Sequence, residues 1–125
     1  MATVVVMDDD DFVRAFVCRL LGVFGHRVLD FPDAAPALAE VDFNQVDLVI
    51  TDLQMPTSSE VAIRTIRERG FAVPIVVMSG YIEPAEVDNL IKLGAHSLLP
   101  KPFTIETFWM INGALIEQQG SQLVG

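Results

Sequence analysis

Four consecutive aspartates, Asp8 to Asp11, close an apolar run that begins at Val4, and three more apolar runs end on residues able to do chemistry: Asp52 after LVIT, Ser79 after PIVVM and Lys101 after SLLP. Carboxylates gathered in a confined site repel one another, which raises their pKa values unless a cation enters. A hard divalent ion held by oxygen ligands relieves that repulsion, and Mg²⁺ typically binds through one or two carboxylates together with phosphate oxygens. Aspartate is itself a phosphoryl acceptor, and phosphoryl transfer needs mainly alignment and neutralised charge. In such a site Lys101 would supply a fixed positive charge and Ser79 a hydroxyl donor to the phosphate. Taken singly, each residue has a plainer reading. An aspartate run before a helix is a cap, Asp52 and Ser79-Gly80 are turn residues, and a lysine between Pro100 and Pro102 sits in a surface loop. Only their joint placement points to a metal-assisted phosphoryl site.

That placement depends on the elements between them. Short β-branched runs alternate with stretches of helical period, the pattern of a parallel sheet covered by helices on both faces. Strands are expected at Thr3 to Met7, Arg27 to Phe31, Leu48 to Thr51, Val73 to Met78 and Ser97 to Leu99. The first helix follows the aspartates, with Phe12, Phe16, Leu20 and Phe24 recurring every fourth residue as its apolar stripe, widened by Val13, Val17 and Leu21. Asp33 is expected to cap the second helix, a third spans about Ser59 to Arg69 before Gly70, a fourth runs from Glu83 to Leu93 before Gly94, and Thr104 caps the fifth. Ligands of such sheets bind beyond the carboxyl ends of the strands. Asp8, Asp9, Asp52, Ser79 and Lys101 all fall there.

Composition narrows the function. The chain has 125 residues, 51% of them hydrophobic, which suits one folded domain. Eight Lys and Arg against 17 Asp and Glu give a formal net charge of -9, which opposes direct binding to nucleic acid or to an anionic membrane. No apolar run approaches the ~18 residues of a membrane span, and no basic segment leads into an N-terminal hydrophobic stretch, so a cytoplasmic location is expected. The single cysteine, Cys18, reads as a buried structural thiol. His26 and His96 have no ligand-like spacing. From residue 117 the chain becomes polar and glycine-bearing, so a domain over 1–118 and a polar tail or start of a linker over 119–125 are expected.

With these pieces in place the sequence resembles the receiver domain of two-component response regulators. The resemblance is carried by VVVMDDD, DLVITDLQMP, VPIVVMSGY and GAHSLLPKPF, in that order and spacing, and extends from Val4 to about Ile116. It implies a flavodoxin-like, doubly wound five-stranded parallel sheet of strand order 2-1-3-4-5 with five helices. It further implies that Asp52 accepts a phosphoryl group from a histidine kinase or histidine phosphotransfer protein. By matching position, Mg²⁺ would be held by Asp9, Asp52 and the Gln54 backbone carbonyl, with Asp8 acting mostly through a water. Ser79 and Lys101 would bind the phosphoryl oxygens, Gln54 and Tyr81 would tune the lifetime of the phosphate, and the bond before Pro102 would be cis. The output would leave through the face of the fourth helix, fifth strand and fifth helix, about Pro84 to Leu115, to a partner or a phosphorylation-dependent homodimer. Such a domain catalyses only its own phosphorylation and dephosphorylation. An initial Met1 is the pattern of a stand-alone receiver or of the N-terminal domain of a longer chain.

Three positions depart from the family's habit. Asp11 replaces a usual proline, Glu60 a usual glycine, and Leu98 a usual aromatic residue three positions before the lysine, so the aromatic route of signal transmission is absent. Two other readings compete: a phosphorylation-independent adaptor of the same fold, and a phosphohydrolase resembling the haloacid dehalogenase superfamily through the DxDxV pattern of Asp9 to Val13, with Asp9 as its nucleophile.

Overall fold

The computed structural model describes the backbone of residues 1–124 and the side chains of residues 1–116; the side chains of the expected tail, 119–125, lie outside that range. Five strands, β1 (Thr3–Met7), β2 (Arg27–Phe31), β3 (Leu48–Asp52), β4 (Ile75–Ser79) and β5 (Ser97–Pro100), alternate with five helices, α1 (Asp11–Val23), α2 (Ala34–Glu40), α3 (Ser59–Glu68), α4 (Pro84–Leu93) and α5 (Ile105–Val124). All strand pairs are parallel and the order is β2-β1-β3-β4-β5, the flavodoxin-like arrangement expected.

The central strands read as continuous apolar runs because both faces of the sheet are covered. Successive residues point to opposite faces. Val5, Met7, Val49 and Val77 therefore pack with Ala34, Ala37, Ala62, Ile63, Ile66 and Leu90 from α2, α3 and α4. Val4, Val6, Leu48, Ile50, Val76 and Met78 pack instead with Val17 and Leu21 of α1 and with Phe108 and Leu115 of α5.

Several expectations about individual residues change. The buried row of α1 is Val17 and Leu21, with Val13, Cys18 and Leu20 partly covered. The phenylalanine row is the one left out: Phe12 is 89% exposed, Phe16 45% and Phe24 64%. Two apolar rows with the same four-residue spacing adjoin on this helix, and periodicity cannot tell which of them faces the sheet. Cys18 is only partly covered, and burial, aided by the charge of Asp30, pushes its thiol up to about 11, which leaves it largely protonated and unreactive at neutral pH.

Caps account for the helix limits. Asp10 is the N-cap of α1, its carboxylate accepting from the Phe12 and Val13 N–H groups at 2.9 and 3.1 Å. Asp33 occupies the N-cap position of α2 without capping it; its carboxylate accepts instead from the Thr57 N–H at 2.7 Å, which ties the loop after β3 to α2. Thr104 does cap α5, accepting from the Thr107 N–H at 3.1 Å. At the end of α4, Gly94 has φ +124°, and a Cβ there would come within 2.7 Å of the Arg67 side chain, whose guanidinium donates to the Gly94 carbonyl. Only glycine satisfies both demands. A short 3₁₀ turn, Phe43–Gln45, was not expected; the Asp42 carboxylate caps it, and Phe43 anchors it in the core.

Candidate functional site

Register brings the chemistry-bearing residues to one edge. Met7 lies level with Thr51, Asp52 with Met78, and Ser79 with Pro100. Asp8 therefore falls level with Asp52, Ser79 one residue beyond that line and Lys101 two. The ladder continues across it, through the Asp8 N–H to the Phe31 carbonyl (3.1 Å), the Leu53 N–H to Met78 (2.9 Å) and the Lys101 N–H to Ser79 (2.7 Å). Strand order reverses between β1 and β3, and it is there that Asp8 and Asp9 meet Asp52.

One carboxylate oxygen from each of Asp8, Asp9 and Asp52 lies within 4.8 Å of the others. The Lys101 ammonium donates to Asp52 Oδ1 at 3.0 Å and to Asp8 Oδ2 at 3.2 Å. Asp8 is wholly buried, and its other oxygen accepts from the Asp10 N–H at 2.9 Å. Asp9 is exposed. Three carboxylates thus cluster around one ammonium that bonds two of them, and the electrostatics follow from that excess. Burial raises the Asp52 pKa, the Lys101 hydrogen bond opposes this, and the charges of Asp8 and Asp9 add to the rise, so the net direction is upward. For Lys101, burial acts to lower the pKa but the bonds and charges of Asp52 and Asp8 outweigh it, so it remains an ammonium. An all-oxygen, net-anionic set with an exposed member fits a hard divalent cation.

A stability prediction follows. The carboxyl pKa of Asp52 is higher in the fold than its ordinary 3.8. The native state then holds this proton more tightly than the unfolded chain, and ionised Asp52 lowers stability progressively as pH rises above 3.8. In metal-free buffer at neutral pH, Asp52→Asn is expected to raise the thermal midpoint by a few degrees, at roughly 4 °C per kcal/mol for a chain of this size. The gain should shrink toward pH 4. A midpoint that fell at neutral pH would show that the Lys101 pair outweighs the repulsion.

The remaining candidates sit around this cluster. Ser79 is nearly buried and its hydroxyl donates to the Tyr81 carbonyl at 3.4 Å. The side chains of Gln54 and Tyr81 are exposed, Tyr81 by 77%. The Lys101–Pro102 bond is cis. Leu98 is partly buried and packs, like Ile82, against the core on the α2, α3 and α4 side. Glu60 lies in the first turn of α3, after the Ser58 cap. The two histidines bond locally, His26 Nδ1 accepting from the Ala2 N–H and His96 pairing with the Ser97 hydroxyl.

Two features escaped the sequence. Arg14 reaches back from α1 to the Asp8 carbonyl at 2.7 Å; its partner is a backbone atom that no side-chain pattern marks. The exposed Phe12 and Phe16, with Val13, Pro102 and Phe103, line an apolar cleft that shares Lys101 with the acidic cluster.

Fold and site together define a flavodoxin-like α/β domain with an acid-rich centre at its topological switch point. The family model described as response regulator receiver domain matches residues 4–110. The chain belongs to that family, whose members serve two-component signalling. It is 33% identical over 104 residues to the response regulator MprA of Mycobacterium sp. (strain KMS), covering 82% of this chain and 45% of that protein. It is 31% identical over 109 residues to the transcription factor SKN7 of Candida albicans, covering 86% and 20%. Among solved structures it resembles the chemotaxis protein CheY4 of Vibrio cholerae, with TM-score 0.84, 27% identity, and 92% and 98% of the two chains covered. The chain thus spans less than half the length of these curated relatives. Among the described residues, no helix is long and apolar enough to cross a membrane.

Proposed function

We propose that this domain is a phosphoacceptor that takes a phosphoryl group from a phosphohistidine onto Asp52. The observation that carries the reading is the pairing of Asp52 with both Lys101 and the acidic cluster at the sheet edge. An Asp52 carboxylate oxygen bonds to phosphorus, the phosphorus–nitrogen bond to histidine breaks, and the departing imidazole keeps the electron pair and takes up a proton. Lys101 meets the charge on the phosphoryl oxygens, and the Ser79 hydroxyl exchanges its Tyr81 carbonyl for one of them. Asp8, Asp9 and Asp52, with the Gln54 carbonyl, would hold Mg²⁺, which supplies neutralisation of the approaching phosphate. Gln54 and Tyr81 would tune phosphate lifetime by controlling the access of water. The reaction is self-modification, with no other substrate turned over.

Hydrogen bonds to charged groups contribute roughly 1.5 to 3 kcal/mol each. Two new bonds to the phosphate are therefore comparable with the ~5.5 kcal/mol that inverts a 1:99 population. The β4–α4 loop carries that change toward α4, β5 and α5, the face offered to an output partner or a second copy. With Leu98 and Ile82 packed against the core beside it, the change passes through aliphatic packing. The acidic charge keeps the domain itself off nucleic acid, and a cytoplasmic site of action fits this role. Family membership leaves no support for the Asp9 phosphohydrolase. The test is covalent: acetyl phosphate with Mg²⁺ should add one phosphoryl group, mapped to Asp52 by reducing the acyl phosphate.

The phosphohistidine donor is a protein, and the apolar cleft of Phe12, Phe16 and Phe103 adjoins the acceptor through Lys101. A donor helix presenting its histidine to Asp52 would cover it. Replacing both Phe12 and Phe16 by alanine is expected to slow transfer from a phosphorylated histidine kinase at least about tenfold, as loss of two interface anchors does. Acetyl phosphate, too small to span the cleft, should be affected little. Equal slowing with both donors would relocate the effect to the acceptor itself.

A further inference from the structure

The Asp8–Asp9 peptide is held from several sides. The Asp8 N–H donates to the Phe31 carbonyl of β2 at 3.1 Å, and the Asp8 carboxylate is shared between the Asp10 N–H and Lys101. Its carbonyl oxygen accepts from Arg14 Nη1 at 2.7 Å. The same guanidinium donates through Nη2 to Asp11 at 2.7 Å and through Nε to Asp30 at 3.2 Å, and the arginine side chain is 17% exposed. One planar fork therefore joins the end of β1, the first turn of α1 and the strand beside it.

The consequence falls on Asp9. Among the described residues its carboxylate accepts no hydrogen bond, yet it must stand within 4.8 Å of Asp8 and Asp52. The Asp8 carbonyl oxygen and the Asp9 nitrogen belong to one rigid peptide plane. Anchoring that oxygen fixes where the Asp9 side chain starts. We propose that Arg14 is a positioning residue that locks the Asp8–Asp9 peptide plane and so holds the Asp9 carboxylate in place for a divalent cation, an inference that rests on the phosphoacceptor reading of the site.

Charge alone argues the opposite way. A guanidinium beside a cation site repels the cation, so its removal would strengthen metal binding if Arg14 acted only through charge. The sign of the effect therefore separates the two roles. Mg²⁺ titrated calorimetrically into wild type, Arg14→Met and Arg14→Lys at fixed ionic strength is expected to show a loss of about tenfold in affinity for Arg14→Met, the scale on which supporting residues act on a metal site. Arg14→Lys keeps one donor for the Asp8 carbonyl but not the fork that also ties Asp11 and Asp30, and should fall between. With acetyl phosphate, Arg14→Met should need correspondingly more Mg²⁺ for half-maximal phosphorylation and reach the wild-type rate at saturation, a split that general loosening of the fold would not give. Unchanged or tighter Mg²⁺ binding by Arg14→Met would overturn the proposal. A reduced rate at saturating Mg²⁺ would also overturn it, and if Arg14→Met does not fold, the Arg14→Lys titration decides alone. Absence of Mg²⁺ binding by wild type would refute the underlying reading of the site as well.

Discussion

Protein carrying Asp52→Ala, incubated with acetyl phosphate and Mg²⁺, is expected to keep its unmodified mass while wild type gains one phosphoryl group. The expectation is near-complete loss because no neighbouring carboxylate can take over. Asp8 is also bonded to Lys101, but it is wholly buried and its second oxygen is occupied by the Asp10 N–H. Asp9 is open to solvent and, among the described residues, pairs with no lysine. Omitting Mg²⁺ should reduce the wild-type adduct just as strongly, since three clustered carboxylates otherwise repel an incoming phosphate. Intact-mass spectrometry reads the adduct directly, and a beryllofluoride complex that mimics the acyl phosphate guards against fast hydrolysis. An adduct retained by Asp52→Ala would move the nucleophile to Asp8 or Asp9 and revive the hydrolase alternative. No adduct and no beryllofluoride complex in wild type would favour an adaptor that signals by contact alone.

What could be read from the sequence, and what could not, follows from where the information lies. β1, β3 and β4 were legible because burial on both faces demands unbroken apolar runs, and each of these runs stops abruptly on a polar residue. The site residues were legible for the same reason, since a parallel sheet gathers whatever follows its strands. Boundaries shifted where backbone chemistry intervened. β4 starts at Ile75, after Pro74, which has no N–H to give the ladder but still offers its carbonyl to Val49 at 2.9 Å. Periodicity leaves the facing of α1 open because the Phe12–Phe16 row and the Val13–Val17–Leu21 row share one period, and it is the second that packs on the sheet. The phenylalanines are displayed beside the acceptor instead. Asp33 shows the limit of capping rules: a suitable residue at the suitable place found a better donor across the chain in Thr57. Arg14 was invisible because backbone carbonyls carry no signature.

The second large effect belongs to Lys101. Lys101→Ala is expected to slow phosphorylation by acetyl phosphate by about 10²- to 10³-fold, the loss typical of one preorganised donor aimed at developing charge. Geometry supports a figure of that size. The ammonium already lies 3.0 Å from the acceptor oxygen and is held on its other side by Asp8, so it needs no reorganisation when the phosphate arrives. Its removal also takes a positive charge from between Asp8 and Asp52, which raises the Asp52 pKa further and diminishes the carboxylate form that attacks. The two consequences separate by pH. Raising the pH should restore the part of the rate lost to protonation and leave the part lost from charge stabilisation. Lys101→Arg keeps a positive charge but replaces a compact ammonium with a longer planar fork, so partial recovery is expected. Time-resolved intact mass at saturating Mg²⁺ measures all three proteins on one scale. Wild-type rates in Lys101→Ala would mean that the bound cation supplies all the neutralisation the phosphate needs, and that Lys101 serves only to balance the empty acidic cluster.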